Sequence, residues 1–109
     1  MSGDRSFEQS TLTKLRLMSF AATLRPLCTH AKADPTYRPT NELRSRRWHV
    51  TSPRGEFEIV ETGVKWFDVR ERTGGGGAID LAMHLLGLSF VDAVKHLIVH
   101  GNRHGADNS

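Results

Sequence analysis

Apolar positions along this 109-residue chain follow two different periods, and the change between them divides it. From Thr11 onward Leu12, Leu15, Leu17, Met18, Ala21, Ala22 and Leu24 recur at steps of three and four, with Lys14 and Arg16 off the stripe. That spacing predicts an amphipathic helix. Pro26 ends or bends it, because proline lacks the N–H and crowds the preceding turn, and residues 27–33 continue as a last turn. The stripe is core, or it docks onto a second chain. Residues 34–45, DPTYRPTNELRS, read as a polar loop with two prolines. The period then falls to two. Three short antiparallel strands are predicted at about residues 47–51, 57–61 and 64–69, joined by Ser52-Pro53-Arg54-Gly55 and by Thr62-Gly63. Phe57 and Ile59 share one face of this sheet, with Glu56, Glu58 and Val60 opposite, and Trp66 and Phe67 point to opposite sides.

A charged turn, residues 70–73, leads into four consecutive glycines, Gly74, Gly75, Gly76 and Gly77, and a helix is predicted from residue 78 to about 86. Without a Cβ, glycines let another backbone or a phosphate approach closely. The N–H groups at the head of the helix would attract an anion, with Arg70 and Arg72 just upstream. The run equally suits a tight strand-to-helix connection whose first turn is satisfied by Asp80, and it fits neither standard glycine-rich nucleotide motif. A last helix starts at Ser89, with Asp92 three residues on as in a capping box. Its buried stripe is Phe90, Ala93, Val94, Leu97 and Ile98, and Gly101 stops it. The expected fold is α+β: a three-stranded antiparallel sheet covered by an N-terminal helix and two C-terminal helices. One domain spans residues 11–101, with residues 1–10 and 102–109 expected to be disordered.

The segment from residue 65 to residue 97 also resembles a known family. Trp66, Phe67, Asp68, Gly75, Gly76, Gly77, Ala78, Ile79, Asp80, Leu81, Leu86, Gly87, Phe90, Ala93, Val94 and Leu97 look like the zinc-finger domain that opens bacterial-type DNA primases. The likeness is closer to the finger-like front domains of primase-related proteins on plasmids and integrative elements. A weaker match runs upstream through residues 46–59, so about half of the chain is covered. The resemblance implies a zinc-ribbon-like sheet and a nucleic-acid surface, but not the metal. The family's Cys-x-x-His pair would fall near residues 47–50 and its Cys-x-x-Cys pair near residues 68–72, and neither region has a cysteine. The single cysteine, Cys28, lies well upstream, so the four ligands of a structural zinc site are missing. His96, His100 and His104 are spaced by four, yet no carboxylate or cysteine completes a ligand set. No metal and no cofactor are expected.

Charge sharpens the picture once it is divided. Residues 14–54 hold nine Lys or Arg against two acids, whereas residues 55–109 hold five against eight. A basic front half is expected where one face meets a polyanion. Tyr37 beside Arg38, and Trp48 beside Arg46 and Arg47, interleave rings with cations as single-stranded nucleic acid requires. Trp48 has a second reading as a core residue. The candidate nucleic-acid contacts are Tyr37, Arg44, Arg46, Arg47, Trp48, Arg54, Lys65, Arg70 and Arg72, with Gly74 to Gly77 allowing close approach. Glu56 and Glu58 on the open sheet face oppose that assignment.

No apolar run is long enough to span a membrane, no signal peptide opens the chain, and one cysteine suits a reducing cytoplasm. No catalytic triad or metalloprotease pattern is present, so a non-enzyme is expected. Two functions remain open. One is a metal-free relative of the primase finger, encoded by a mobile element, that binds single-stranded or duplex DNA during replication or transfer. The other is a small phage- or mobile-element-encoded inhibitor that binds a host protein or protein–nucleic-acid complex, such as a CRISPR defence complex. Oligomeric state is left open.

Overall fold

The computed structural model describes residues 7–39 and 44–101. The N-terminal apolar stripe forms two helices rather than one, α1 (Gln9–Arg16) and α2 (Phe20–Leu27). Ser19 separates them: its Oγ accepts a hydrogen bond from the Ala22 N–H at 3.1 Å and so caps a new helix. The break turns the stripe. Leu12, Leu15, Phe20, Leu24 and Leu27 are buried, whereas Leu17 at the break is exposed. Pro26 lies inside the last turn of α2. The start of α1 at Gln9 also moves the folded boundary outward, and Phe7 packs edge-on against Phe90 with ring centroids 6.5 Å apart. The disorder expected for residues 1–6 and 102–109 lies outside the described residues.

The sheet has five strands, not three: β1 (His30–Ala33), β2 (Arg46–Ser52), β3 (Gly55–Thr62), β4 (Lys65–Asp68) and β5 (Thr73–Gly76), all antiparallel and in sequence order. The α+β class stands. The extra strands occupy segments that carry no strand signal. Residues 30–33, HAKA, were expected as a helical extension of α2. They pair with β2 instead, Ala31 opposite Val50, because the chain is drawn in where Thr29 N–H donates to the Thr51 carbonyl at 2.9 Å. Three of the four expected loop glycines are strand β5, and the fourth, Gly77, begins α3 (Gly77–Leu86). α4 (Phe90–His96) follows after the left-handed Gly87, and its last residues widen into a π turn, Leu97–Gly101. Ser89 caps α4 as expected, its Oγ accepting from the Asp92 N–H at 3.1 Å.

One face of the sheet is covered by the helices. Val50, Ile59 and Trp66 from the strands meet Leu24, Leu27, Ile79, Leu81, Leu85, Val94 and Leu97 in a single core. Alternation places Arg47, His49, Glu56, Glu58, Val60, Lys65 and Phe67 on the uncovered face. Glycine is required in β5 by the core behind it. A Cβ on Gly75 would lie 2.7 Å from Cζ2 of the buried Trp66 indole, while one on Gly76 would meet nothing within 4 Å. Gly75→Ala is therefore expected to destabilise the protein by about 1–3 kcal/mol, and Gly76→Ala to stay within about 0.5 kcal/mol of wild type. Urea unfolding of the two variants separates them; equal effects would refute the packing argument.

Candidate nucleic-acid interface

The uncovered sheet face is organised around Phe67. Trp66 is turned into the core, so its neighbour on the strand must face out, and Phe67 remains 46% exposed. It stands in a row across three strands: Arg47 is opposite Val60, Val60 opposite Phe67, and Phe67 opposite Gly74. The ring leans over Gly74, where a Cβ would come within 3.2 Å of its Cδ1. Gly74 and Gly76 add no side chains, so the surface beside the ring is flat backbone. Lys65, two residues before Phe67, flanks it on the same face, with Val64 exposed just beyond. A flat, exposed aromatic beside cations is what base stacking with phosphate pairing requires.

Next to this platform lies an ion cluster centred on Glu58. Arg47 reaches it at 2.8 Å, His49 Nδ1 at 3.5 Å and Arg70 Nε at 3.8 Å, while His49 Nε2 lies 3.4 Å from Asp34. The Arg47 hydrogen bond holds the Glu58 carboxyl below its usual range, helped by the charges of Arg47, Arg70 and His49. Asp34 is lowered to about 2, chiefly by hydrogen bonds from the Thr36 hydroxyl and N–H and then by His49.

The basic and aromatic residues singled out in the sequence do not form one patch. Arg46 and Trp48 clasp the buried Glu61 on the covered side. Arg46 Nη2 lies 3.0 and 3.1 Å from its two oxygens, Trp48 Nε1 donates to it at 2.9 Å, and the Arg46 guanidinium sits 5.4 Å from the Trp48 ring. Trp48 is half-buried and also packs on Phe20 at 5.6 Å, on the covered side of the sheet. Arg54 donates to the His84 carbonyl at 2.8 Å, near the C-terminus of α3. Tyr37 is half-buried in the turn after β1. Arg44 lies by the Gly63 turn. At the head of α3, Gly76 N–H donates to Asp80 Oδ2 at 3.2 Å and Gly77 N–H to the Val64 carbonyl at 2.8 Å. Two of the N–H groups at the helix head are thus taken by the protein's own oxygens. Lys65 and Arg72, together with Lys32 on β1, make no side-chain hydrogen bond or ion pair with another described residue.

Two groups escaped the sequence reading. Phe67 was recoverable from the alternation in KWFD, because a buried Trp66 forces it outward. The other is a buried pair, Asp68 and His84. Asp68 is 0% exposed. Its Oδ1 accepts from the N–H groups of Arg70 and Glu71 at 2.9 and 3.0 Å, and its Oδ2 meets His84 Nε2 at 2.6 Å. His84 also stacks on Trp66, centroids 5.0 Å apart. The pair forms the floor of a cleft of about 320 Å³ walled by Arg54, Glu56, Phe57, Arg70 and Glu71. No spacing links residues sixteen apart across a hairpin to a helix, so nothing in the sequence marks them. A larger groove of about 450 Å³ runs between α2 and β1 past Cys28. Burial pushes that thiol up to about 12, so it is no nucleophile at neutral pH.

Among the described residues no three His, Cys, Asp or Glu side chains are placed to hold a metal ion, and no single helix is long and apolar enough to cross a membrane. The chain matches no protein-family model, no curated protein and no solved structure.

The open-face carboxylates make stability depend on acid. Both have depressed pKa values, so their contribution is present above the unfolded value and is lost as pH falls through the folded one. For Asp34 that window runs from 3.8 to about 2. Asp34→Asn is expected to lower Tm at neutral pH, and the gap to wild type should close as pH approaches about 2. A gap that persists at pH 2 in thermal melts would show that the ionised carboxylate is not the cause.

Proposed function

We propose that this protein binds single-stranded nucleic acid across the open face of its sheet, serving as a DNA-binding accessory protein of a mobile element. The observation that carries this reading is Phe67, an aromatic ring left out of the core on a flat, glycine-floored surface, with Lys65 beside it. Bases stack on such a ring whatever their identity, and uncommitted lysines and arginines pair with phosphates. Lys65 and Arg72 are the direct phosphate contacts in this reading. Arg47 and Arg70 contribute through the edge of the Glu58 cluster. Arg46 and Trp48 support the fold. The resemblance to primase-related finger domains supports a setting in replication or transfer, and the closed surface of a duplex suits a single flat platform less well than a splayed strand.

The second reading, an inhibitor that docks on a host protein or protein–nucleic-acid complex, draws on Glu58. This carboxylate neutralises the centre of the face, and exposed Val64 and Phe67 would suit a protein surface.

Fluorescence anisotropy with labelled 20-nucleotide single strands and duplexes, across a salt series, tests the proposal. Stacking is worth roughly 1–3 kcal/mol per base, so Phe67→Ala is expected to weaken single-strand binding about tenfold or more. Removing Lys65 and Arg72 together should reduce the log–log salt slope by about 1.4, two phosphates at about 0.7 each. Arg46→Ala should leave the slope unchanged while lowering stability. Absence of binding at low salt rejects this function and turns attention to a protein target.

A further inference from the structure

We propose that the Asp68–His84 cleft cleaves RNA without a metal, transferring the phosphodiester to the neighbouring 2′-hydroxyl. The inference extends the nucleic-acid reading, since the open face would deliver the strand.

The arrangement is built for an imidazole that works at one nitrogen. His84 is fixed on three sides: Asp68 at 2.6 Å holds Nε2, the Trp66 indole stacks on the ring, and Phe57 meets it at 5.6 Å. Asp68 itself is immobilised by two backbone N–H groups. A buried carboxylate behind a histidine sets its tautomer and orientation, leaving the opposite nitrogen for chemistry. His84 is not sealed in; its side chain keeps 17% exposure and forms part of the cleft wall. Facing it are two guanidinium groups, Arg54 and Arg70, which suit a phosphate. Glu56 and Glu71 complete the walls, and neither carboxylate is paired with another described residue. Acid, base and cation are thus gathered in one space of about 320 Å³, large enough for a nucleotide unit. Access comes from the open face. Arg70, Glu56 and Phe57 also wall a second cleft of about 180 Å³ that runs on to His49 and His30.

This set matches the one phosphodiester reaction that needs neither a metal nor an outside nucleophile. Glu56 or Glu71, as carboxylate, takes the proton of the ribose 2′-hydroxyl. The 2′-oxygen forms a bond to phosphorus as the bond from phosphorus to the 5′-oxygen breaks. His84, as imidazolium, gives its proton to that departing oxygen. Arg54 and Arg70 hold the phosphoryl oxygens as charge builds on them. The products are a 2′,3′-cyclic phosphate and a free 5′-hydroxyl, and DNA, which lacks the 2′-hydroxyl, is bound but not cut. Asp68 acts through His84 and is a positioning residue.

The test incubates end-labelled single-stranded RNA and the same sequence in DNA with the full chain in excess EDTA, and identifies the new ends by mass spectrometry. RNA ending in 2′,3′-cyclic phosphate, with DNA intact, is expected. His84→Asn should lower the rate about 100-fold or more, as removal of a general acid does. One of Glu56→Gln and Glu71→Gln should cause a comparable loss; both side chains are exposed, so folding is not at stake. Asp68→Asn should change the pH–rate limb that reports His84, whereas a purely structural role would lower the rate equally at every pH. Intact RNA after prolonged incubation overturns the proposal, as does cleavage that survives His84→Asn. Loss of DNA binding alone would overturn only the reading of the open face.

Discussion

Asp68 is a carboxylate with no access to water, and the rest of the architecture accommodates it. A buried charge is tolerated only when its lone pairs are occupied. Here two backbone N–H groups of the β4–β5 turn and one imidazole from α3 do so. The same contacts fix the conformation of that turn, including the left-handed Arg72 at φ 57, and pin the last turn of α3 to the end of β4. With α3 held there, His84 and Trp66 stack, and the indole extends toward β5 to the point where only glycine fits at residue 75. Packing on the covered face therefore decides the shape of the uncovered one. The glycine strand that accommodates Trp66 from behind is also the flat floor beside Phe67 in front.

The charges are divided by the same geometry. Arg46 lies in sequence among the most basic residues of the chain, yet its guanidinium is taken up by Glu61, whose carboxylate is nearly buried. Arg47, its immediate neighbour, points to the other face and is taken up by Glu58. Both pairs arise because acidic residues on β3 stand one strand away from basic residues on β2: Arg46 is opposite Glu61, and Arg47, opposite Val60, reaches diagonally to Glu58 on the same face. Local charge surplus thus overstates the positive field. On the open face and its rim, the cations without a described partner are Lys65 on β4, Lys32 on β1 and Arg72 in the β4–β5 turn.

Strand periodicity was legible where side chains alternate in size and polarity. Residues 46–52, 55–62 and 65–68 were found within about two residues, as were α3 and the Ser89 cap of α4, because Val50, Ile59, Trp66 and the 79–85 stripe bury themselves by their own pattern. β1 and β5 were invisible for opposite reasons. HAKA has weak strand propensity and is recruited by the edge of β2, and three glycines have no side chains on which a period could be read. The break at Leu17–Ser19 was hidden because the apolar stripe continues across it while the chain changes direction. Of the site, Phe67 followed from alternation, but the Arg46–Glu61–Trp48 clasp and the Asp68–His84 pair depend on register and on docking of α3, which local sequence does not encode.

Arg70 joins the two regions. Its backbone N–H belongs to the Asp68 turn, while its side chain reaches toward Glu58 on the open face and walls both clefts. At 3.8 Å its pairing with Glu58 is the longest in the cluster, and Arg47 already occupies the same oxygen at 2.8 Å. Arg70 is thus held by a carboxylate that another cation already satisfies. Glu58 keeps its Arg47 partner and Asp68 holds the turn through backbone N–H groups, so neither carboxylate depends on the Arg70 guanidinium for its compensation. The fixed backbone and loosely held head of this one residue connect the open sheet face to the Asp68–His84 cleft.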